Sequence, residues 1–265
     1  MMRWFFALAC LLALPAHAAE RIVALSPHAC EMLFVMGAGP EVVGVGDYCD
    51  YPEAAKSLPK LGSYSHVNAE AALKLKPTLV IVMDERSRGI EELRRLGIKV
   101  FASHPLTLEA LLADMQAIGD MTGHSKAAAT VVENFRGRLR ALEKRHPKRA
   151  VKVFYEVWGN PLISSGRPSL MHDVMFHVGL DNICGELDIE SPHMNVEAVM
   201  QAHPDVIIIP DELRNIAERT RYWRKWLGDE VRIVTVNPDL LHRPGPRLIE
   251  GMEALFVDIH GSTAK

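Results

Sequence analysis

A short segment of this chain occurs twice, and this repeat limits the folds that the chain can adopt. The residue types His, Asn, Glu, Ala and Pro recur at a constant offset of 127 positions. The first copy runs from His66 to Pro77 and the second from His193 to Pro204. In each copy an Asn can cap a short helix that ends at the Pro and is followed by a β-branched strand. Five matches in register indicate two lobes of similar construction.

Between the two copies lies a long amphipathic segment, Ser125–His146. Its apolar residues recur as on one face of a helix, and charged residues cover the other face. Pro147 ends the segment, because proline cannot continue a helix. At ~1.5 Å per residue the helix would span ~33 Å, the width of a small domain. An ordinary surface helix has the same pattern, but the position between the repeats favours a strut that joins two lobes.

Strand-like and helix-like segments alternate through both halves, which is typical of parallel sheets flanked by helices. We predict an α/β fold with two Rossmann-like lobes joined by one long backbone helix. The predicted ranges are 19–121 for the N-terminal lobe, 122–148 for the backbone helix and 149–265 for the C-terminal lobe. In parallel sheets, ligands bind outside the carboxyl ends of the strands. The loops there, which are candidate walls of an interlobe cleft, are 26–28, 48–51, 83–86, 158–165 and 237–243.

The first 18 residues have the features of an export signal. Arg3 supplies a positive charge, residues 4–14 form an apolar core, and Ala16-His17-Ala18 matches an A-x-A cleavage site. We therefore expect a cleaved signal peptide, 1–18, and an exported mature protein. No later stretch reaches the ~18 apolar residues that a membrane span needs.

Composition and motifs argue against two other classes of protein. The net charge of −3 provides no basic surface for nucleic acid. The chain contains no H-E-x-x-H, G-x-S-x-G or P-loop motif, so the sequence favours a protein that is not an enzyme. Its 12 histidines still leave a secreted metal-dependent hydrolase as an alternative of another class, which would need a tightly bound metal.

Three cysteines follow the export signal, in a compartment where disulfides persist. Three thiols cannot all pair within one chain. Cys30 and Cys49 follow early strands of the same lobe, so a disulfide between them is our first choice. Three buried thiols, including Cys184, are the alternative, because connectivity cannot be determined from sequence.

Several segments of the chain resemble the helical-backbone (class III) periplasmic substrate-binding proteins of bacterial ABC importers. They are ALSPHACEMLFVMGAG, VGVGDYCDYP, NAEAALKLKPTLVIV and the mid-chain helix. The similarity covers essentially the whole mature chain and is greatest to cobalamin-binding members, which have similar Y-x-D-Y-P, G-N-P-x-x-x-S-G and D-x-x-x-R segments.

The resemblance implies two lobes that move little, with the ligand held between them and delivered to an inner-membrane permease. It implies cobalamin or a related corrinoid as cargo, no cofactor and a monomeric chain. Haem or a ferric siderophore is the alternative cargo within the same fold.

The cleft loops and the resemblance together give a set of candidate ligand-binding residues. They are Pro27, His28, Tyr48, Tyr51, Tyr64, Met83, Trp158, Ile163, Asp239 and Arg243. Of these, Tyr64, Met83 and Ile163, together with Ser191, stand where the resembled proteins have tryptophans or phenylalanine. The exposed-loop tyrosines and the Asp–Arg pair are compatible with a large, polar-rimmed ligand stacked on aromatic faces.

The internal repeat supplies two further pairs of candidate residues. Docking in the resembled family uses one glutamate per lobe, and Glu70 and Glu197 occupy the matching positions. An acid in the first turn of a helix is also favoured by the helix dipole without any partner. As a hypothesis, His66 and His193 ligate a metal within the cargo, since imidazole binds cobalt and iron. The alternative is that they are polar residues preceding capped helices.

Overall fold

A computed structural model describes residues 20–63, 66–211 and 216–261 of the 265-residue chain. The predicted signal peptide, 1–18, and Tyr64 therefore lie outside the described residues. None of the helices in the described ranges combines the length and apolar character that a bilayer span requires.

The first half of the chain forms a four-stranded parallel sheet flanked by helices. Its elements are β1 (Ile22–Ala24), α1 (Pro27–Val35), β2 (Val42–Val45), α2 (Ala69–Lys74), β3 (Leu79–Val82), α3 (Ile90–Arg95), β4 (Lys99–Ala102) and α4 (Leu108–Met121). The strand order is β2-β1-β3-β4, and all neighbouring strands are parallel. Every residue of β1 and β3 is buried, which explains why these strands are continuous apolar runs.

The predicted backbone helix is confirmed as α5 (Ser125–Glu143), the longest helix in the described part of the chain. It buries a single apolar face formed by Ala128, Val132, Phe135 and Leu142. The predicted end at His146 is wrong by three residues, because the backbone tightens after Glu143. There the amides of Arg145 and His146 bond to carbonyls three residues back, as in a 3₁₀ turn, before Pro147.

The second half builds an equivalent sheet. Its elements are β5 (Val151–Tyr155), β6 (Trp158–Gly159), β7 (Leu162–Ile163), α6 (Leu170–His177), β8 (Leu180–Asn182), α7 (Val196–Ala202), β9 (Val206–Pro210), α8 (Ile216–Leu227), β10 (Arg232–Val236), α9 (Pro238–Leu241) and α10 (Leu248–His260). The parallel strands have the order β8-β5-β9-β10. The first strand of each sheet thus lies between the second and the third, so the two lobes share one topology.

The Asn residues of the sequence repeat act as helix caps in both lobes. Asn68 Oδ1 accepts a hydrogen bond from the amide of Ala71 at 2.9 Å. Asn195 Oδ1 accepts one from the amide of Ala198 at 2.8 Å. The equivalent geometry confirms the repeat that the sequence predicts.

The segment after β5 differs from the sequence prediction. The residue pattern predicts a strand over 151–157 and a loop over 158–169, whereas β5 ends at Tyr155 and β6 and β7 form a short antiparallel hairpin. β8 is not predicted at all, because three residues are too few to show a strand periodicity.

One hydrophobic core connects the two sheets. Ile81 of β3 and Ile208 of β9 belong to the same buried cluster as Phe135 of α5 and Phe256 of α10. Two smaller clusters lie elsewhere, one against each sheet. Because interiors are close-packed, a large rotation of one lobe against the other would open apolar surface in the shared cluster. The lobes are therefore built to move little, and the exact lobe boundaries stay a prediction.

The three cysteines are free, buried thiols. The structure therefore contradicts the predicted disulfide between Cys30 and Cys49 and agrees with the alternative of buried thiols. The two side chains are neighbours, and a hydrogen bond between them raises the pKa of Cys30 and lowers the pKa of Cys49. A thiol–thiol hydrogen bond keeps the sulfurs farther apart than the ~2.05 Å of a disulfide.

Candidate functional site

A cavity of about 180 Å³ lies between the lobes at the carboxyl ends of the strands. Four of its lining residues come from segments that follow β3 and β4, namely Met83, His104, Pro105 and Leu106. The others come from the second half and are Tyr155, Val157, Ser165, Ser169, Leu170, Met171, Glu190, Ser191, Leu241, His242 and Pro244. This is the location that the topology of two parallel sheets predicts for a ligand.

A tyrosine–histidine pair lies on the C-terminal side of the cavity. The hydroxyl of Tyr155, at the end of β5, is 2.8 Å from Nε2 of His242. The two rings meet edge to face, with their centres 5.9 Å apart. Burial lowers the pKa of His242 to about 4, so this imidazole is neutral at pH 7. The pair offers the cavity a polar but uncharged surface.

His104 lies on the N-terminal side of the cavity. Hydrogen bonds of the buried Ser103, which precedes it, hold its backbone in place. The amide of Ser103 donates to the carbonyl of Val82 at 2.9 Å, and Ser103 Oγ donates to Asp114 at 2.7 Å. The carbonyl of Ser103 accepts a hydrogen bond of 3.0 Å from Nε2 of the buried His28. Burial lowers the pKa of His28 to about 4, although its bond to Ser103 opposes the shift.

The opposite wall of the cleft carries Glu190, whose Oε1 lies 3.3 Å from Nε2 of His104. The segment around Glu190 is anchored to a neighbouring loop, because the Gly166 amide donates to the Glu190 carbonyl at 3.0 Å. A Cβ on Gly166 would come within 2.0 Å of the carbonyl oxygen of Ile189, so only glycine permits this close approach. The backbone on both sides of the His104–Glu190 contact is therefore held in place.

A network of charged residues joins the lobes outside the lining of the cavity. Glu31 of α1 is 2% exposed and accepts hydrogen bonds from Arg247 Nε and Nη2 at 2.9 and 2.6 Å. Arg243 Nη1 donates to Asp50 Oδ1 at 2.6 Å. These bonds raise the pKa of Arg247 and lower the pKa of Asp50. Burial opposes the rise in the pKa of Arg243, but Asp50, Asp239 and Glu31 outweigh it.

Most of the predicted ligand-binding residues lie outside the lining of the cavity. Among the described ones, Met83 lines it, and so does Ser191. Pro27 begins α1 and His28 is buried, while Asp239 and Arg243 belong to the charged network. Tyr48, Tyr51 and Trp158 are exposed, and Ile163 pairs with Trp158 in the hairpin. Their role in binding stays a prediction.

The residues of the repeat are exposed on both lobes. Glu70 and Glu197 lie in the first turns of α2 and α7. Lys74, whose Nζ is 2.9 Å away, lowers the pKa of Glu70. His66 and His193 are exposed and do not belong to the lining of the described cavity. In the described ranges, no group of three or more His, Cys, Asp or Glu side chains could hold a metal ion.

Sequence reasoning missed His104, Tyr155 and Glu190. The sequence contains a signal for the first two, because His104 follows a predicted strand and Tyr155 lies near the end of another. Ligands of parallel sheets bind at these carboxyl ends. Glu190 lies in a long segment without regular structure, 183–195, and carries no periodic signal.

Comparison with known proteins places the chain in a family. The family described as "Periplasmic binding protein" matches residues 22–221. The vitamin B12-binding protein of Yersinia pestis (strain Pestoides F) is 30% identical over 248 residues, which cover 92% of this chain and 88% of that protein.

Solved structures agree with this placement. The periplasmic vitamin B12-binding protein BtuF of Vibrio cholerae has a TM-score of 0.81 and 27% identity, over 92% of this chain and 99% of that one. A periplasmic heme-binding protein from Pseudomonas aeruginosa has a TM-score of 0.78 and 25% identity, over 92% and 94%. The chain therefore belongs to the periplasmic binding protein family, as a substrate-binding protein with two lobes joined by a backbone helix.

Proposed function

We propose that this chain captures cobalamin or a related corrinoid between its lobes and delivers it to the permease of an ABC importer. The observation that carries the proposal is the 30% identity to a vitamin B12-binding protein over 92% of the chain. The interlobe cavity at the carboxyl ends of both sheets supplies the place for the cargo. In this proposal the chain acts by binding, without a cofactor and without a catalytic step.

The size of the cavity indicates how such a cargo would be held. Pockets that enclose drug-sized ligands have volumes of about 300–1,000 Å³, and this cavity measures about 180 Å³. We infer that one part of the corrinoid fills the cavity and that the rest lies across the rim. Trp158 is 51% exposed and Tyr48 is 58% exposed, so both offer aromatic faces for stacking there.

Haem is the second candidate cargo. A heme-binding protein is among the similar structures at 25% identity. Tyr155 and His104 line the cavity, and haem iron in proteins is held by tyrosine or histidine side chains.

Delivery would use Glu70 and Glu197 as one docking contact per lobe. Both are exposed, and both follow an Asn cap of equivalent geometry, so the two carboxylates are related by the repeat. The same proposal includes export with a signal peptide cleaved after Ala18 and a monomeric mature chain in the periplasm.

Charge reversal tests the delivery step. Cells that depend on this chain for corrinoid uptake would carry the wild type or the double variant Glu70→Arg, Glu197→Arg, and labelled cyanocobalamin uptake would be measured. We expect uptake to be abolished while the purified double variant still binds cyanocobalamin with unchanged affinity. Glu109→Arg is the matched control, because Glu109 is an exposed glutamate outside the repeat. Undiminished uptake, or lost binding, would contradict the docking role.

A further inference from the structure

We propose that His104 binds the cobalt ion of the cargo and that the cleft thereby favours corrinoids with an exchangeable axial position. The inference rests on the proposed function and defines its substrate class more narrowly. It is carried by the position of His104 in the cavity lining, its contact with Glu190 and the different surroundings of the other cleft imidazoles.

Among the described residues, three imidazoles lie at or directly behind the cavity, and two of them are already bonded to other groups. Nε2 of His28 bonds to the carbonyl of Ser103, and His28 is 1% exposed. Nε2 of His242 bonds to the hydroxyl of Tyr155. The side chain of His104 is 51% exposed and lines the cavity, so it is the imidazole that an incoming ligand can reach.

The contact with Glu190 prepares His104 for this role. Nε2 of His104 lies 3.3 Å from Glu190 Oε1, and within the described residues no protein group is bonded to Nδ1. Histidines that bind metals usually direct their other ring nitrogen toward a carboxylate, which fixes the tautomer and raises ligand basicity. Glu190 supplies that carboxylate from the opposite lobe.

The backbone around His104 is fixed before any ligand arrives. Ser103 is fully buried and makes three hydrogen bonds, to Val82, Asp114 and His28, and Pro105 on the other side is also buried. A ligand group held this way loses little freedom on binding. The buried His28, which the sequence predicts as a ligand contact, is a positioning residue in this arrangement.

The step is a ligand exchange without a redox change. Water leaves an axial position of Co(III) as the Nδ1 lone pair forms the Co–N bond, the oxidation state is unchanged, and the Nε2 proton stays directed at Glu190. A corrinoid whose two axial positions are held by cyanide cannot make this exchange. The proposal therefore predicts discrimination between two corrinoids that differ in their axial ligands alone.

The test uses diaquocobinamide and dicyanocobinamide with the purified mature chain. Binding is measured by calorimetry and coordination by the visible spectrum of the corrinoid. We expect a spectral shift with diaquocobinamide on the wild type. His104→Ala should abolish the shift and weaken binding by about tenfold or more, while its affinity for dicyanocobinamide changes less than twofold. That unchanged affinity also shows that the variant is folded. His146→Ala, at an exposed histidine outside the cavity lining, is the matched control and should keep the shift.

Two results would overturn the assignment while leaving the proposed function intact. One is binding of diaquocobinamide to the wild type without a spectral shift, and the other is a shift that persists in His104→Ala and in a second variant, His104→Gln. Absence of binding to either corrinoid by the wild type would overturn the proposed function as well.

Discussion

The two lobes share one framework but contribute unequally to the cleft. Both sheets have the same strand order, and both carry a short helix capped by an Asn of the repeat. Four cavity-lining residues come from the N-terminal lobe, however, and eleven from the C-terminal lobe. Several of the eleven lie in segments that have no counterpart in the first lobe, such as the loop after the β6–β7 hairpin and the region around Glu190.

This difference separates what the fold requires from what the site requires. The repeat contains residues that form a strand of the sheet, the Asn cap of a helix and the exposed first turn of that helix. The loops at the carboxyl ends are free to diverge, and these loops line the cavity. Ligand affinity should therefore be sensitive to substitutions in the C-terminal loops. Equivalent substitutions in the repeated framework should lower the free energy of unfolding by similar amounts in both lobes.

The largest stability difference should come from a carboxylate buried within the C-terminal lobe. Glu156 is fully buried and bonds to Arg219 at 2.7 Å and to Trp223 Nε1 at 2.5 Å. Glu156→Ala should lower the free energy of unfolding by about 3–5 kcal/mol, because it removes the partner of both the largely buried Arg219 guanidinium and the buried Trp223 N–H. Urea denaturation followed by circular dichroism measures this.

The control for this variant is Glu109→Ala. Glu109 forms an ion pair of the same chemistry with Arg136 at 2.6 Å, but on the surface. Surface pairs contribute at most ~1 kcal/mol, so this variant should unfold almost as the wild type does. Equal losses in the two variants would show that burial of Glu156 does not matter.

The next effect is a loss of stability in acid that originates behind the N-terminal wall of the cleft. The pKa of His28 is about 4 in the folded chain because of burial, against about 6.5 in the unfolded chain. The unfolded chain therefore binds more protons between these values, so the stabilisation is complete above pH 6.5 and is lost as pH falls to 4. The shift corresponds to about 3 kcal/mol.

Urea denaturation at several pH values measures the acid effect. His28→Gln should flatten the pH dependence of the free energy of unfolding between pH 6.5 and 4. His242, whose pKa is also about 4, should account for part of the pH dependence that remains. An unchanged pH dependence of the free energy of unfolding in His28→Gln would show that His28 does not cause the loss of stability in acid.

A smaller effect is expected at the contact between the lobes. Glu31 is 2% exposed and binds Arg247 through two hydrogen bonds. Glu31→Gln keeps the shape but removes the charge, so we expect a loss of about 2 kcal/mol. Hydrogen exchange should show faster exchange in both lobes, because the bond joins them. Faster exchange confined to α1 would argue that Glu31 stabilises one lobe alone.

The smallest effect compares the two lobes directly. Asn68→Ala and Asn195→Ala each remove one helix cap of equivalent geometry. Each should cost about 1 kcal/mol, as measured by urea denaturation. A difference between the two larger than about 1 kcal/mol would show that the framework is not energetically equivalent.

The sequence predicts the framework well because the framework is repetitive and periodic. The mid-chain helix has a continuous apolar face, and the Asn caps stand at fixed positions before their helices, so both are visible in the residue pattern. Elements that have no periodic residue pattern are not predicted from the sequence. Examples are the three-residue strand β8 and the hairpin that begins at Trp158.

The site is harder to predict because it depends on contacts between distant segments. His104 and Glu190 are 86 positions apart and meet only when two lobes are assembled. The positions of Cys30 and Cys49 after early strands favour a disulfide, but residue positions do not distinguish a thiol–thiol hydrogen bond from a disulfide.

A calorimetric titration of the purified mature chain with cyanocobalamin, with haem as a parallel titrant, tests the proposed cargo most directly. We expect one-to-one binding of cyanocobalamin with a submicromolar dissociation constant, and weaker or no binding of haem. An absence of heat with cyanocobalamin, together with tight binding of haem, would contradict the assignment of a corrinoid cargo.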